Sequence, residues 1–425
     1  MMSAMTGWPA PTATRPVDGV VEVPSSKSLM ARALALAWLA DEPTAVHRPL
    51  VARDSLLMAA ALTALGARVS TPDEGPWTVR PGRPVGPAAI DCGLAGTVMR
   101  FVPALAALTA VPVHLDGDAR ARERPLAGLL DALRALGVRT DPVDAPALPV
   151  TVRGRGRVAG GPVPVDASAS SQVVSALLLA GCRFDQGLTV HPVGSVPSRP
   201  HVQMTVAALR ERGVDAGEQP GGSWTVAPGL PRGGEVTMEP DLSNAAVFLA
   251  AALVTGGRVR VPGWPRRSVQ PAGAVLGLVQ AFGGTATLDD SGLTVTGGTG
   301  LRGLGTVDLG AVGELAPTVA ALAALADAPS TLTGLAHLRG HETDRLAALV
   351  REIGRLGGRA EQTADGLHVV PAPLHGGVVA SYGDHRMATF AAILGLAVPG
   401  VVVQDVAVTG KTMPAFPALW TGLVG

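Results

Sequence analysis

Lysine is nearly missing from this chain of 425 residues: of 34 basic side chains, only Lys27 and Lys411 are lysine. Cysteine is as rare. Cys92 and Cys182 alone exclude a disulfide framework and a cysteine-ligated zinc site. Net charge is absent too, with 34 acidic groups against the 34 basic ones. A nucleic-acid protein usually shows its basic face in the total, so no nucleic-acid partner is expected and any anion site must be a local gathering of cations. Long apolar runs are few. Residues 268–288 and 387–404 carry no charge and approach the length of a membrane span. The first is broken by Gln270, Pro271, Gln280, Gly283 and Gly284. In the second, Gly395, Pro399 and Gly400 separate a helix from a following strand. The first is too polar and too broken to span and the second reads as core, so no membrane partner is expected. Residues 1–19 contain no apolar core of a signal peptide, so a cytoplasmic location is expected.

What is present describes a globular chain: 47% hydrophobic and 16% charged residues, with 54 Gly and 36 Pro marking many turns. The length suits two or three domains and a core that needs no staples. The two lysines invite a chemical reading. Lysine is a compact, mobile point charge whose pKa can shift, whereas arginine is a fixed fork that stays charged. A site that relays a proton can use the first and not the second.

A period of about seventy residues runs through the chain. Helix-ending patterns recur at Gly66, Gly137, Gly213, Gly283 and Gly357, spaced by 71, 76, 70 and 74 residues. Glycine suits the left-handed position where a helix stops. Ten or eleven residues after each comes a β-prone run: Trp77-Thr78-Val79, Leu148-Pro149-Val150, Trp224-Thr225-Val226, Leu293-Thr294-Val295 and Leu367-His368-Val369. In the same phase a short strand, a polar turn and an Ala/Leu-rich helix occur six times, at 21–40, 89–107, 163–181, 235–253, 306–326 and 378–396. Their turns are marked by Lys27, Gly96, Ser170, Ser243, Glu314 and Asp384, spaced by 69, 74, 73, 71 and 70 residues. A second helix of each copy opens near Asp54, Arg124, Arg199, Ser268, Arg345 and Lys411. The chain therefore reads as six copies of one strand–helix–strand–helix–strand–strand module, three to a domain. Helices such as residues 245–253 are apolar almost all round and are expected to be buried on most faces.

The turns carry the functional signal. Helix N-termini expose unpaired N–H groups and a positive partial charge, worth about 0.3–1 kcal/mol each to an exposed anion. Lys27, Arg32, Arg100, Arg124, Arg345, Arg386 and Lys411 lie in these turns, with Ser26, Ser28, Ser170, Ser171, Gln172 and Asn244 and the carboxylates Asp54, Glu314, Glu342 and Asp384. Ser, Asp and Asn there can be ordinary N-caps, and Ser243 and Asn244 fit that role best. Cations at helix N-termini oppose the helix dipole, so seven of them in phased turns call for an anionic partner. Other motifs fail. Residues 154–160 resemble a dinucleotide fingerprint with its last glycine one residue late and no helix following, and read as a connection between strands. Gly410-Lys411-Thr412 ends like a P-loop, but the first glycine of that motif would fall on Asp405. His341-Glu342 and Asp384-His385 lack metal-ligand spacing, and no metal is expected.

Seven stretches, in order, resemble the EPSP synthase (3-phosphoshikimate 1-carboxyvinyltransferase) family. They are residues 24–32, Ala95-Gly96-Thr97-Val98-Met99-Arg100, Glu123-Arg124-Pro125, Ser170-Ser171-Gln172, Glu342-Thr343-Asp344-Arg345-Leu346, Asp384-His385-Arg386-Met387-Ala388 and Lys411-Thr412. The resemblance implies an α/β enolpyruvyl transferase fold: two similar domains, each of three βαβαββ units with helices buried inside sheets. It places one domain at 24–239 and the other at 1–23 plus 240–425. It implies transfer of the enolpyruvyl group of phosphoenolpyruvate to the 5-hydroxyl of shikimate 3-phosphate, with release of phosphate, in the shikimate pathway of aromatic amino-acid biosynthesis. No cofactor is implied, the partners are these two small molecules, and a monomer is expected.

Carried over residue by residue, shikimate 3-phosphate would contact Lys27, Ser28, Arg32, Ser170, Ser171, Gln172, Ser198, Glu314 and His341. Phosphoenolpyruvate would contact Lys27, Gly96, Arg124, Gln172, Arg345, Arg386 and Lys411. Glu314 would act as general base on the hydroxyl and Glu342 at the methylene carbon, with Lys27 nearby. The chain departs from the family pattern at Leu94 (commonly Asn), Glu314 (usually Asp), His341 (commonly Lys) and His201 (commonly Tyr). Two alternatives are a UDP-N-acetylglucosamine enolpyruvyl transferase and a non-catalytic binding protein. The first carries a cysteine before its Arg-Pro pair, and residues 118–124 have none; Glu314 and Glu342 argue against the second.

Overall fold

The computed structural model describes residues 7–425. The chain divides into two compact units. One is Ser25–Met238; the other joins residues 7–24 to Glu239–Gly425. Each has its own hydrophobic core.

The first unit holds three four-stranded sheets. The middle module shows the pattern most plainly. Strand Ala88–Asp91 leads into helix Gly96–Ala106 and back to Pro112–Asp116, which pairs parallel to the first strand. A second helix, Ala127–Ala135, follows. Strands Arg139–Asp141 and Val150–Arg153 then complete the sheet in antiparallel fashion. The third module repeats this with Gly161–Asp166, Leu188–Val193, Ala216–Glu218 and Trp224–Val226. The segment at 154–160 joins strands of neighbouring sheets, as its failed nucleotide motif suggests. Glycines 66, 137, 213, 283 and 357 all have positive φ between 81° and 94°, as their places after helices require.

The first helix of each module is the buried one. Lys27–Leu39, Gly96–Ala106 and Gln172–Gly181 pack on one another, and each lies against its own sheet. Leu242–Thr255, Ala316–Ala324 and His385–Ala397 form the matching trio of the second unit. Alanine at many of these positions lets the backbones approach, while each buried Leu, Val, Phe or Met contributes roughly 1.5–3 kcal/mol. Among the described residues no helix is long and apolar enough to cross a membrane.

Two features differ from six contiguous copies. Strand Asp18–Val20 precedes helix Lys27–Leu39 but pairs with Arg258–Val261 of the second unit. Strand Gly234–Thr237 precedes helix Leu242–Thr255 but pairs with Thr44–His47 of the first. The two strands are exchanged at the points where the chain passes from one unit to the other, and repeat phase alone does not reveal which sheet a strand joins. The sixth copy is also incomplete. After Gly377–Val379 and Val401–Val403 its sheet is closed by Trp8–Pro9, so among the described residues it has three strands. Trp8 and Phe248 gather around Phe416 and Trp420 of the last helix, with ring centroids 5.5–6.1 Å apart.

Candidate active site

Helix starts position the polar side chains. Ser26 caps helix Lys27–Leu39, its hydroxyl accepting from the Leu29 N–H at 3.4 Å. Asp344 caps Arg345–Arg355 through Ala347 N–H at 3.0 Å, and Asp384 caps His385–Ala397 through Arg386 N–H at 2.9 Å. The cap of Leu242–Thr255 is Asp241, which accepts from Asn244 N–H at 2.9 Å. This corrects the expectation for Ser243 and Asn244, which lie inside the first turn. The acid one turn earlier reaches the unpaired N–H groups.

In the first unit, Gly96 opens its buried helix between two guanidinium groups. A Cβ at this position would stand 3.0 Å from Arg124 Nη2 and 3.2 Å from Arg100 Nη1. Both arginines are buried. Arg124 Nη1 donates to the Leu94 carbonyl at 3.4 Å, and its buried Nε has no partner among the described residues. Arg100 donates to the Gly96 and Pro125 carbonyls at 3.3 Å and to Gln172 Oε1 at 3.4 Å. Gln172 begins the neighbouring buried helix, and its N–H donates to Ser170 Oγ at 3.3 Å. The structure thus joins Gly96, Arg124 and Gln172, and adds Arg100. Two buried cations beside a residue without a side chain form a place where an anion can approach the backbone closely.

Lys27 is half-buried, with its Nζ 3.7 Å from the buried Asp54 carboxylate. Arg32 is turned inward. It donates to Thr205 Oγ1 at 2.8 Å, the Ser28 carbonyl at 2.7 Å, Ser175 Oγ at 3.2 Å and the His201 carbonyl at 2.6 Å. These bonds commit four of its five N–H donors to neutral oxygens. Burial pulls its pKa down to about 9. Ser171 is buried, and Ser198, with φ 48°, sits at the start of helix Arg199–Glu211. Burial pushes both cysteine thiols up to about 12, which keeps them unreactive.

The second unit holds a buried ionic network. Arg345 Nε donates to Asp384 Oδ2 at 2.7 Å and Nη2 to Asp384 Oδ1 at 3.3 Å. Nη2 also donates to Glu342 Oε2 at 2.9 Å, and Nη1 meets His341 Nδ1 at 3.2 Å. The other oxygen of Glu342 is held by Lys411 Nζ. Arg345, Glu342, Asp384 and Lys411 are all buried. Burial alone would lower the Arg345 pKa; Asp384 and Glu342 outweigh it, and the net shift is upward. Arg386 is pushed down, first by burial and then by Arg345, with Glu314 opposing. Glu314, in the short helix Gly313–Leu315, favours the charged form of both Arg345 and Arg386. His341 points at Arg345 and Glu342. An ammonium, that of Lys411, is thus bonded to the Glu342 carboxylate.

Several residues of this region escape sequence reasoning. The His337 ring lies against Gly313, its buried Nε2 has no partner among the described residues, and burial lowers its pKa. Glu352 and Tyr382 back the Asp384 turn. Tyr382 carried one available signal: it is the only tyrosine in the chain. Among the described residues no cluster of three or more His, Cys, Asp or Glu is arranged to hold a metal ion.

The fold is that of the enolpyruvyl transferases. EPSP synthase from Acinetobacter baumannii superposes with a TM-score of 0.80 at 23% identity, over 98% of this chain and 97% of that one. An enolpyruvyl transferase from Streptomyces tendae gives 0.73 at 19% identity, over 97% and 96%. The model of the EPSP synthase (3-phosphoshikimate 1-carboxyvinyltransferase) family matches residues 11–420. The chain is 55% identical to the 3-phosphoshikimate 1-carboxyvinyltransferase of Kocuria rhizophila, over 98% of its own length and 96% of that protein. It is 53% identical to that of Mycobacterium ulcerans, over 100% and 99%. The chain belongs to the EPSP synthase family.

Proposed function

We propose that this chain transfers the enolpyruvyl group of phosphoenolpyruvate to the 5-hydroxyl of shikimate 3-phosphate and releases inorganic phosphate. Full-length identity of 53–55% to two proteins named for this activity carries the reading. Both substrates are multiply anionic, which suits the buried cations.

The reaction adds and then eliminates. The 5-oxygen forms a bond to C2 of phosphoenolpyruvate as its proton leaves, and the methylene carbon gains a proton. The resulting intermediate then loses that proton from carbon while the C2–O bond to phosphate breaks. Glu314 is assigned the hydroxyl proton. Glu342 is assigned the proton at carbon, and its bond to Lys411 supports this, because an ammonium hydrogen-bonded to a carboxylate gives a proton two resting places. Arg345, Arg386, Lys411, Arg124, Gly96 and Gln172 are assigned to phosphoenolpyruvate. Ser28, Ser170, Ser171, Gln172, Ser198, Glu314 and His341 are assigned to shikimate 3-phosphate, and Lys27 to both substrates. Arg32 is assigned to shikimate 3-phosphate through the one N–H its inward bonds leave over. Glu314 in place of the usual Asp keeps the acid and moves it by one methylene.

A monomer acting in the cytoplasm accompanies this proposal; a solution mass near 42.8 kDa is its test. The activity itself is tested by phosphate release from phosphoenolpyruvate. Release that starts only when shikimate 3-phosphate is added supports the reading. Release with UDP-N-acetylglucosamine instead, or binding without release, overturns it.

A further inference from the structure

We propose that Glu352 and Tyr382 are positioning residues: together they clamp the turn that carries Asp384 and so aim Arg345. The inference rests on the assignment of Arg345 to phosphoenolpyruvate.

Helix Arg345–Arg355 begins with Arg345 and carries Glu352 two turns later on the same side. Glu352 is fully buried, at 0% exposure. Its Oε1 accepts the Tyr382 hydroxyl at 2.5 Å. Its Oε2 accepts the Ala380 N–H at 3.2 Å and pairs with Arg355 Nε at 3.0 Å. Ala380 and Tyr382 flank Ser381, whose carbonyl accepts the Asp384 N–H at 2.9 Å. The turn 381–384 is therefore held from below by Glu352. From above it is held by Arg345, which donates twice to the Asp384 carboxylate. One helix grips one turn at both ends and closes a ring of bonds through Arg345, Glu352, Tyr382 and Asp384.

Two observations set this apart from ordinary packing. Tyr382 has φ 54°, a left-handed conformation unfavourable for a bulky side chain, and Gly383 follows at 68°. Such a residue persists only where its surroundings over-determine it. Asn or Gly would make the turn more easily, but neither would reach Glu352. Second, a fully buried carboxylate is costly unless bonded, and this one spends two of its bonds on the Asp384 turn. The groups facing Tyr382 are Glu352 and Arg351, whose guanidinium lies 5.9 Å from the ring centroid. Burial and then Glu352 hold the phenol pKa above its ordinary value, against Arg351.

The test uses Tyr382→Phe, which keeps the ring and removes one hydrogen bond, and Glu352→Gln. Tyr382→Phe should raise KM for phosphoenolpyruvate roughly 3–10-fold, the worth of one such bond, with KM for shikimate 3-phosphate and kcat each within about twofold. Because the chain has one tyrosine, absorbance at alkaline pH follows that phenol alone. Its midpoint should lie above about 10 in the wild type and fall toward that value in Glu352→Gln. Equal rises in both KM values, or no rise with a lowered Tm, would reduce the clamp to general stability and overturn the proposal. So would a tyrosine midpoint at or below the ordinary value. A wild-type protein that fails to release phosphate would instead defeat the assigned reaction, while the tyrosine titration would still report on the bond.

Discussion

Replacing Gly96 by alanine separates substrate binding from stability. The added methyl carbon would sit 3.0 and 3.2 Å from Arg124 Nη2 and Nη1 and 3.2 Å from Arg100 Nη1, closer than ordinary contact. Both guanidinium groups are buried and must give by a few tenths of an ångström. Their bonds to the Leu94 and Gly96 carbonyls are already 3.4 and 3.3 Å long, so the shift weakens them. Losing alignment of one or two such donors costs about 1–2 kcal/mol in anion binding, or roughly 5–30-fold in KM for phosphoenolpyruvate. Alanine restricts the unfolded chain more than glycine does, worth about 0.4–1 kcal/mol where the backbone suits it, which offsets the crowding in the folded protein. Steady-state kinetics should show KM for phosphoenolpyruvate raised and KM for shikimate 3-phosphate within twofold, with Tm within about 2 °C of wild type. An unchanged KM for phosphoenolpyruvate, or equal rises for both substrates, would refute the placement of the anion beside Gly96.

Phe416→Ala should destabilise the second unit by roughly 3–5 kcal/mol, because it empties the centre of the cluster formed with Trp8, Phe248 and Trp420; urea unfolding followed by tryptophan fluorescence measures this. His337 has a depressed pKa, from burial first and then Arg345, against Glu314. The unfolded chain therefore takes up that proton first. The stability tied to neutral His337 is complete above about pH 6.5 and is lost as pH falls below it. Urea midpoints compared at pH 7.5 and pH 5 should fall less in His337→Gln than in wild type. Lys27→Ala should weaken both substrates and reduce kcat by more than tenfold; activity within tenfold of wild type would remove Lys27 from the machinery.

The repeat made much of this molecule legible. Most phased glycines, β-prone runs and polar turns correspond to observed helix ends, strands and helix starts, because each obeys local rules of backbone conformation; the exceptions are Lys411, which ends the short helix Val406–Lys411 instead of opening Phe416–Val424, and Leu148-Pro149, which precede the strand Val150–Arg153. Sheet membership did not. Asp18–Val20 and Gly234–Thr237 have the local pattern of module-opening strands, and only long-range pairing decides which sheet receives them. The same division holds at the site. Arg345, Glu342, Asp384 and Lys411 stood out as charges in turns. Their mutual bonds, the inward aim of Arg32 and the approach of Arg100 to Arg124 depend on side-chain directions that spacing does not encode. Glu352 was hidden because an acid in an amphipathic helix ordinarily faces solvent, and this one faces the core.

In the proposed reaction an oxygen attacks C2 of phosphoenolpyruvate and phosphate departs with its bridging oxygen. Phosphoenolpyruvate labelled with 18O at the C–O–P bridge, turned over with shikimate 3-phosphate, tests this directly. The label should appear in inorganic phosphate, with the enolpyruvyl group joined to the acceptor through the acceptor's own oxygen. Label retained on the three-carbon fragment would mean that the P–O bond breaks, and would contradict the mechanism.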